Sequence, residues 1–194
     1  AFSRKFDIGL DDAAVNELAF ECERLAHGTP SGIDNTLATY ATPILCRNDD
    51  GLHVNELDAA DAPPIVIACS SQAGLTREVV AGVRARYEKT PEQYGAVFEQ
   101  IDALSLAGAA ALERGDYDEL GRLMNICQGL LTAIEVSTPE LESMVSIARA
   151  AGAVGAKLTG AGGGGSVVAL CPGRIDAVSE ALQSAGFRTM DLQQ

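Results

Sequence analysis

The chain has 194 residues, 47% hydrophobic and 21% charged, the composition of a folded globular protein, which excludes global disorder. It carries 14 Lys+Arg against 27 Asp+Glu, a formal net charge of -13. It therefore lacks the basic footprint of a nucleic-acid binder, and any polyphosphate must be held by local devices: backbone amides, a metal ion, one or two placed cations. The longest uninterrupted apolar runs, such as Ser166 to Cys171, are too short to span a bilayer, and no basic-then-apolar leader opens the chain, so neither nucleic acid nor membrane is an expected partner. Five scattered cysteines (Cys22, Cys46, Cys69, Cys127, Cys171) form no C-x-x-C pair. That argues against zinc and against a disulfide framework, and for reduced thiols in a cytoplasmic protein.

Taken in chain order, residues 11–26 carry Val15, Leu18, Cys22 and Leu25 at helical spacing. The run His27-Gly28-Thr29-Pro30-Ser31-Gly32 breaks that helix, and Ser31-Gly32-Ile33-Asp34 has the form of a capping box opening a short helix to about Thr39. Residues 43–58 read as short strands and turns, and Asp61-Ala62-Pro63-Pro64 is the best boundary in the chain. A buried strand follows at Ile65 to Cys69, then helices near 75–88, 91–113, 117–136 and 139–151. Thr90-Pro91-Glu92-Gln93, Asp116 with Glu119, and Thr138 with Pro139 are their start signals. Strands at 154–159 and 166–171 flank a glycine loop, a helix spans 175–185, and a last strand spans 187–192. The order predicts an α+β fold, an antiparallel sheet covered by helices on one face.

Three constellations carry candidate chemistry. Between Lys157 and Ser166, five of the six residues 160–165 are glycine, more than a hairpin turn needs. Stripping Cβ atoms from a whole loop lets successive N–H groups approach an anion, although tight packing against another backbone explains the same composition. In the second, Glu23 closes one helix and Asp34 opens the next across a Gly/Pro loop. Two carboxylates on opposite elements can share a cleft, one holding Mg²⁺ and one orienting a nucleophile; equally, Asp34 can be the acid of a capping box and Glu23 a solvated helix acid. In the third, Ser70 to Arg77 leads from a strand into a helix N-terminus, which suits anions or plain capping.

Together these segments resemble one family. Glu23-Arg24 with His27-Gly28-Thr29-Pro30-Ser31-Gly32-Ile33-Asp34-Asn35 is similar to the second signature region of the mevalonate kinases. Lys157 to Ser166 resembles the third motif of the wider galacto-, homoserine, mevalonate and phosphomevalonate kinase superfamily, and Leu75 to Val83 and Ile101 to Ser105 also match the mevalonate kinase pattern. The resemblance implies ATP- and Mg²⁺-dependent phosphorylation of the 5-hydroxyl of mevalonate. It implies Asp34 and Thr76 as catalytic residues, Glu23 as the Mg²⁺ ligand, and Gly160, Gly162, Gly163, Gly164 and Ser166 as the nucleotide-phosphate loop.

It also implies residues 1–61 as the remainder of an N-terminal kinase domain and 62–194 as a ferredoxin-like C-terminal domain. The family's N-terminal Lys and His and its first glycine-rich phosphate loop have no counterpart here, so the resemblance makes that missing part a partner of this chain; a homodimer stays open. Another sugar or polyol kinase of the superfamily, or a non-catalytic binding module on the same fold, are the alternatives.

Overall fold

The computed structural model describes residues 8–27, 31–48, 52–59, 62–71 and 76–191. Gly28 to Pro30 and Gln72 to Leu75, quoted in two of the candidate motifs, lie outside the described residues. The chain forms two compact units, 1–58 and 59–194.

The first unit packs helix α1 (Asp12–His27) against helix α2 (Ile33–Tyr40), followed by the antiparallel hairpin β1 (Ile44–Asn48) and β2 (Leu52–Glu56). Asp11 caps α1 by accepting from Ala14 N at 2.8 Å. The expected apolar stripe is not the buried one: Cys22 is exposed, and Leu18 and Leu25 are 54% and 84% exposed. The half-buried positions are instead Val15, Asn16, Ala19, Phe20 and Glu23, a face with helical spacing. Asn16 on that face holds α2, its Oδ1 accepting from Asn35 Nδ2 at 2.7 Å.

The capping box expected at Ser31 does not form. Gly32 is the N-cap of α2, with φ 82°, which places Ser31 one residue outside the helix. The Ser31 hydroxyl makes a local turn by accepting from Ile33 N at 3.3 Å. Thr36 supplies the remaining local bond, donating its hydroxyl to Gly32 O at 2.7 Å.

In the second unit, β3 (Ile65–Cys69) leads into four helices: α3 (Thr76–Lys89), α4 (Pro91–Glu113), α5 (Tyr117–Ala133) and α6 (Pro139–Ala150). Then come β4 (Gly155–Thr159), β5 (Ser166–Leu170), α7 (Ile175–Ser184) and β6 (Arg188–Asp191). The sheet order is β4-β5-β3-β6, antiparallel throughout, as expected for a ferredoxin-like unit. The strands alternate: Val66, Ala68, Ala156, Leu158, Val167 and Ala169 face the core. Register aligns them in two rows, Ala156–Ala169–Val66 and Leu158–Val167–Ala68. Leu141, Met144, Val145 and Ala148 of α6 and Val178 and Leu182 of α7 pack on them.

Asp116 and Thr138 cap α5 and α6 as expected, accepting from Glu119 N and Leu141 N. Thr90 does not cap α4; its hydroxyl donates back to Arg86 O at 3.2 Å, the carbonyl that also accepts from Thr90 N at 3.1 Å, because α3 turns directly into α4. By length and composition α4 is apolar enough to cross a membrane, which uninterrupted runs did not reveal; here it lies along α3 and α5.

β4 is an edge strand, and α5 and α6 cover its outer edge with side chains. Asn125 accepts from Ala156 N at 3.1 Å and donates to Val154 O at 3.0 Å. Gln128, 2% exposed, accepts from Leu158 N at 2.8 Å, and Arg149 donates to Ala156 O at 2.7 Å. This needs α5 at backbone range: a Cβ on Gly121 would lie 2.7 Å from the Val154 carbonyl, and one on Gly155 would lie 2.5 Å from Gly121 Cα.

Candidate functional site

The site residues fall into two groups, one in each unit. In the first unit, Glu23 sits on the inward face of α1, half-buried, and has a partner of its own. It is not a solvated helix acid. Asp34 is exposed and lies in the first turn of α2. Its neighbour Asn35 is 6% exposed, with Oδ1 unpartnered among the described residues while Nδ2 is spent on Asn16. With capping removed as its task, Asp34 presents its carboxylate to solvent on a short helix anchored through Asn35 and Thr36.

In the second unit, the glycine loop joins the adjacent antiparallel strands β4 and β5. Gly160, Gly162, Gly163, Gly164 and Gly165 all have positive φ, from 72° to 139°, which accounts for the composition: nearly every step of the loop needs a conformation that L side chains avoid. The loop is also docked. Gly163 N donates to Val136 O at 2.8 Å, and a Cβ on Gly162 would lie 2.2 Å from that carbonyl oxygen. Ser70 N donates to Gly165 O at 2.7 Å, and Gly165 N donates to Ser70 Oγ at 3.0 Å.

Tight packing against another backbone is therefore one reason for the glycine run. Gly163 and Gly165 give their N–H groups to docking, whereas those of Gly160, Ala161, Gly162 and Gly164 find no acceptor among the described residues; Gly160 is exposed, Ala161 half-buried, and Gly162 and Gly164 buried. Unspent N–H groups of this kind are the donors that an anion can take. Ser166 opens β5 with its hydroxyl against Cys69 Sγ, and Thr76 opens α3, exposed.

The bed of the loop is the turn between α5 and α6, which no local sequence signal marks as part of the site. Glu135 takes φ 61° to end α5, and Arg86 of α3 braces it, donating to Ile134 O at 2.9 Å and pairing with Glu135. Glu142 gathers the next residues. Burial alone would raise its carboxyl pKa, but hydrogen bonds from Ser137, Thr132 and Gln128, with Arg149 nearby, hold it below the usual carboxylate range.

Lys157 does not reach into the loop. It donates to Leu158 O at 2.7 Å, and burial lowers its pKa although the Cys127 thiol opposes the shift. A cavity of about 470 Å³ beside Ala161 is lined by Val79, Val83, Tyr87 and Phe98. It is apolar, with Arg84 its only lining cation among the described residues.

Residues 109–188 match the family described as GHMP kinases C terminal. With the loop, the sheet order and the helical cover, the second unit is a GHMP kinase C-terminal domain. The particular likeness is to mevalonate kinases. The chain is 38% identical over 195 residues to mevalonate kinase of Pyrococcus abyssi, covering 98% of this chain and 57% of that protein. It is 39% identical over 174 residues to mevalonate kinase of Methanothermobacter thermautotrophicus, covering 88% and 56%. Among solved structures, L. major mevalonate kinase in complex with R-mevalonate superposes with a TM-score of 0.87 at 35% identity, covering 95% of this chain and 57% of that one. The chain thus spans a little over half the length of these relatives.

Proposed function

We propose that the full-length protein carrying this chain transfers the γ-phosphoryl group of ATP to the 5-hydroxyl of mevalonate, in the cytoplasm. The observation that carries this reading is the glycine loop: a hairpin between two strands, docked through Gly163 and Gly165, whose other four N–H groups have no acceptor among the described residues, in a chain similar over 98% of its length to a mevalonate kinase. Phosphoryl transfer depends on positioning and on charge stabilisation of the transferred group. Gly162 and Gly164 supply fixed donors for phosphate oxygens, in a cradle that a Cβ at Gly162 would fill.

Asp34, in the carboxylate form, accepts or orients the proton of the attacking hydroxyl. Thr76 contributes a hydroxyl from the start of α3, in the same unit as the loop. The donor set suits Mg²⁺ in its usual nucleotide role of one or two carboxylates completed by phosphate oxygens and water. Among the described residues no cluster of three or more His, Cys, Asp or Glu forms an all-protein cage, so Glu23 is the residue proposed to hold the ion. Bound there, Mg²⁺ would neutralise charge on the phosphates.

The test is an ATP-dependent phosphorylation assay of the full-length protein with mevalonate and a panel of sugars, polyols and homoserine. Mevalonate should give the highest kcat/KM. A higher value for another hydroxylated substrate would move the assignment within the superfamily, and no turnover on any would favour the non-catalytic binding module.

A further inference from the structure

β3 and β5 pair in register from Ile65↔Leu170 to Cys69↔Ser166. One step further, Ser70 faces Gly165. An antiparallel pair at that step exchanges two backbone bonds. Only one is made, from Ser70 N to Gly165 O at 2.7 Å; the return bond from Gly165 N is accepted by the Ser70 hydroxyl at 3.0 Å. The side chain thus takes the place of a ladder carbonyl. The serine is itself held, since Ser71 N donates to Glu140 Oε1 at 2.9 Å in the first turn of α6.

At the other end of the loop, Gly163 N is fixed on Val136 O at 2.8 Å. Gly164 is the single residue strung between these two anchors, with φ 139°. Its N–H belongs to the peptide whose orientation the anchors set, and it has no acceptor among the described residues.

We propose that Ser70 is a positioning residue for the phosphate loop: its hydroxyl, through Gly165, aims the Gly164 N–H at the nucleotide. This inference rests on the kinase reading above. It also explains how the loop is tied to the segment that carries Thr76, because Ser70 ends the strand from which that segment departs. A serine that only stabilised the fold would lower the melting temperature and leave the substrate parameters alone. A serine that aims a phosphate donor changes the response to ATP and spares the other substrate.

The experiment uses Ser70→Ala and Ser70→Thr in the full-length protein, with KM for ATP, KM for mevalonate and kcat measured for each. In Ser70→Ala, KM for ATP should rise about tenfold while KM for mevalonate stays within about twofold. Ser70→Thr retains the hydroxyl and should recover most of the loss. Amide hydrogen exchange on the full-length protein gives the structural arm: the Gly165 N–H should exchange at least about tenfold faster in Ser70→Ala.

An active wild type whose Ser70→Ala variant keeps its KM for ATP overturns the positioning role, whatever the exchange shows. So does a uniform loss that Ser70→Thr does not rescue. A wild type without phosphotransfer overturns the kinase reading and the role built on it, and unchanged Gly165 exchange in Ser70→Ala shows separately that the hydroxyl does not hold the loop.

Discussion

The two glycine turns that carry candidate residues, one in each unit, are built to opposite specifications. At residues 31–34 a single left-handed glycine, Gly32, sets the start of α2 and leaves Asp34 exposed. At residues 160–165 five left-handed glycines are clamped by Val136 and by Ser70, and two of them are buried. The element proposed to meet the phosphates is held by packing and hydrogen bonds, as dipoles must be if they are not to reorganise during a reaction. The element proposed to meet the hydroxyl carries a carboxylate with no side-chain partner among the described residues, as a group that must meet a substrate proton requires. A change in the first turn should therefore be read in chemistry, and a change in the second in stability as well as in ATP binding.

The largest expected effect is at Asp34. Asp34→Asn keeps the shape and removes the charge, and since the capping box is not formed there is little stability to lose. In the full-length protein kcat should fall by roughly 10²-fold or more with an almost unchanged thermal melt. A near-normal kcat would erase the contrast between the turns.

Gly162→Ala probes the clamped side. The new Cβ would have to push away the Val136 carbonyl, at 2.2 Å, from a residue with φ 85°, and the expected cost is about 3 kcal/mol from overpacking and backbone strain combined. Gly165 has φ 88°, but a Cβ there would meet nothing within 4 Å, so Gly165→Ala should cost only about 1–2 kcal/mol. Denaturant midpoints of the two variants of residues 1–194 test the ranking; equal losses would mean that strain, and not docking, governs the loop.

Glu23→Gln sharpens the first unit. It preserves size on the inward face of α1 and removes one unit of charge. The Mg²⁺ concentration needed for half-maximal activity should rise severalfold, about 3- to 10-fold, with the fold intact. An unchanged Mg²⁺ titration at full activity would leave Glu23 with a purely structural partner.

The smallest effect concerns the bed of the loop. The Glu142 pKa is depressed in the folded state, so its contribution to stability is present above the ordinary carboxylate range and is lost as pH falls through the folded value. Glu142→Gln should cost about 1 kcal/mol near pH 7, and the gap in melting temperature from wild type should narrow as pH falls through the folded-state value of the carboxyl. A gap independent of pH would show that the hydrogen bonds from Gln128, Thr132 and Ser137 do not depend on the charge.

Periodicity and turn chemistry made the second unit legible: strand, helices, two strands around the glycine run, helix, strand. Those signals are local, and the β-α-β-β-α-β order with alternating strands has few antiparallel solutions. The Glu23–Asp34 pair and the glycine run were equally visible, because chemistry-bearing residue types at fixed spacing survive in one dimension. Which face of α1 is inward was decided by tertiary structure, since Asn16 and Glu23 fit beside α2 where the apolar stripe of Leu18 and Leu25 does not lie. The same holds at Ser31, where a left-handed Gly32 displaced a capping box that the residue types allowed. It holds above all for the loop: glycine composition announces positive φ, but that Gly162 has no room, that Gly163 is spent on Val136, and that Ser70 accepts from Gly165 depend on residues far away in the chain. Contacts of that range follow from how helices and sheet pack, and no local pattern encodes them.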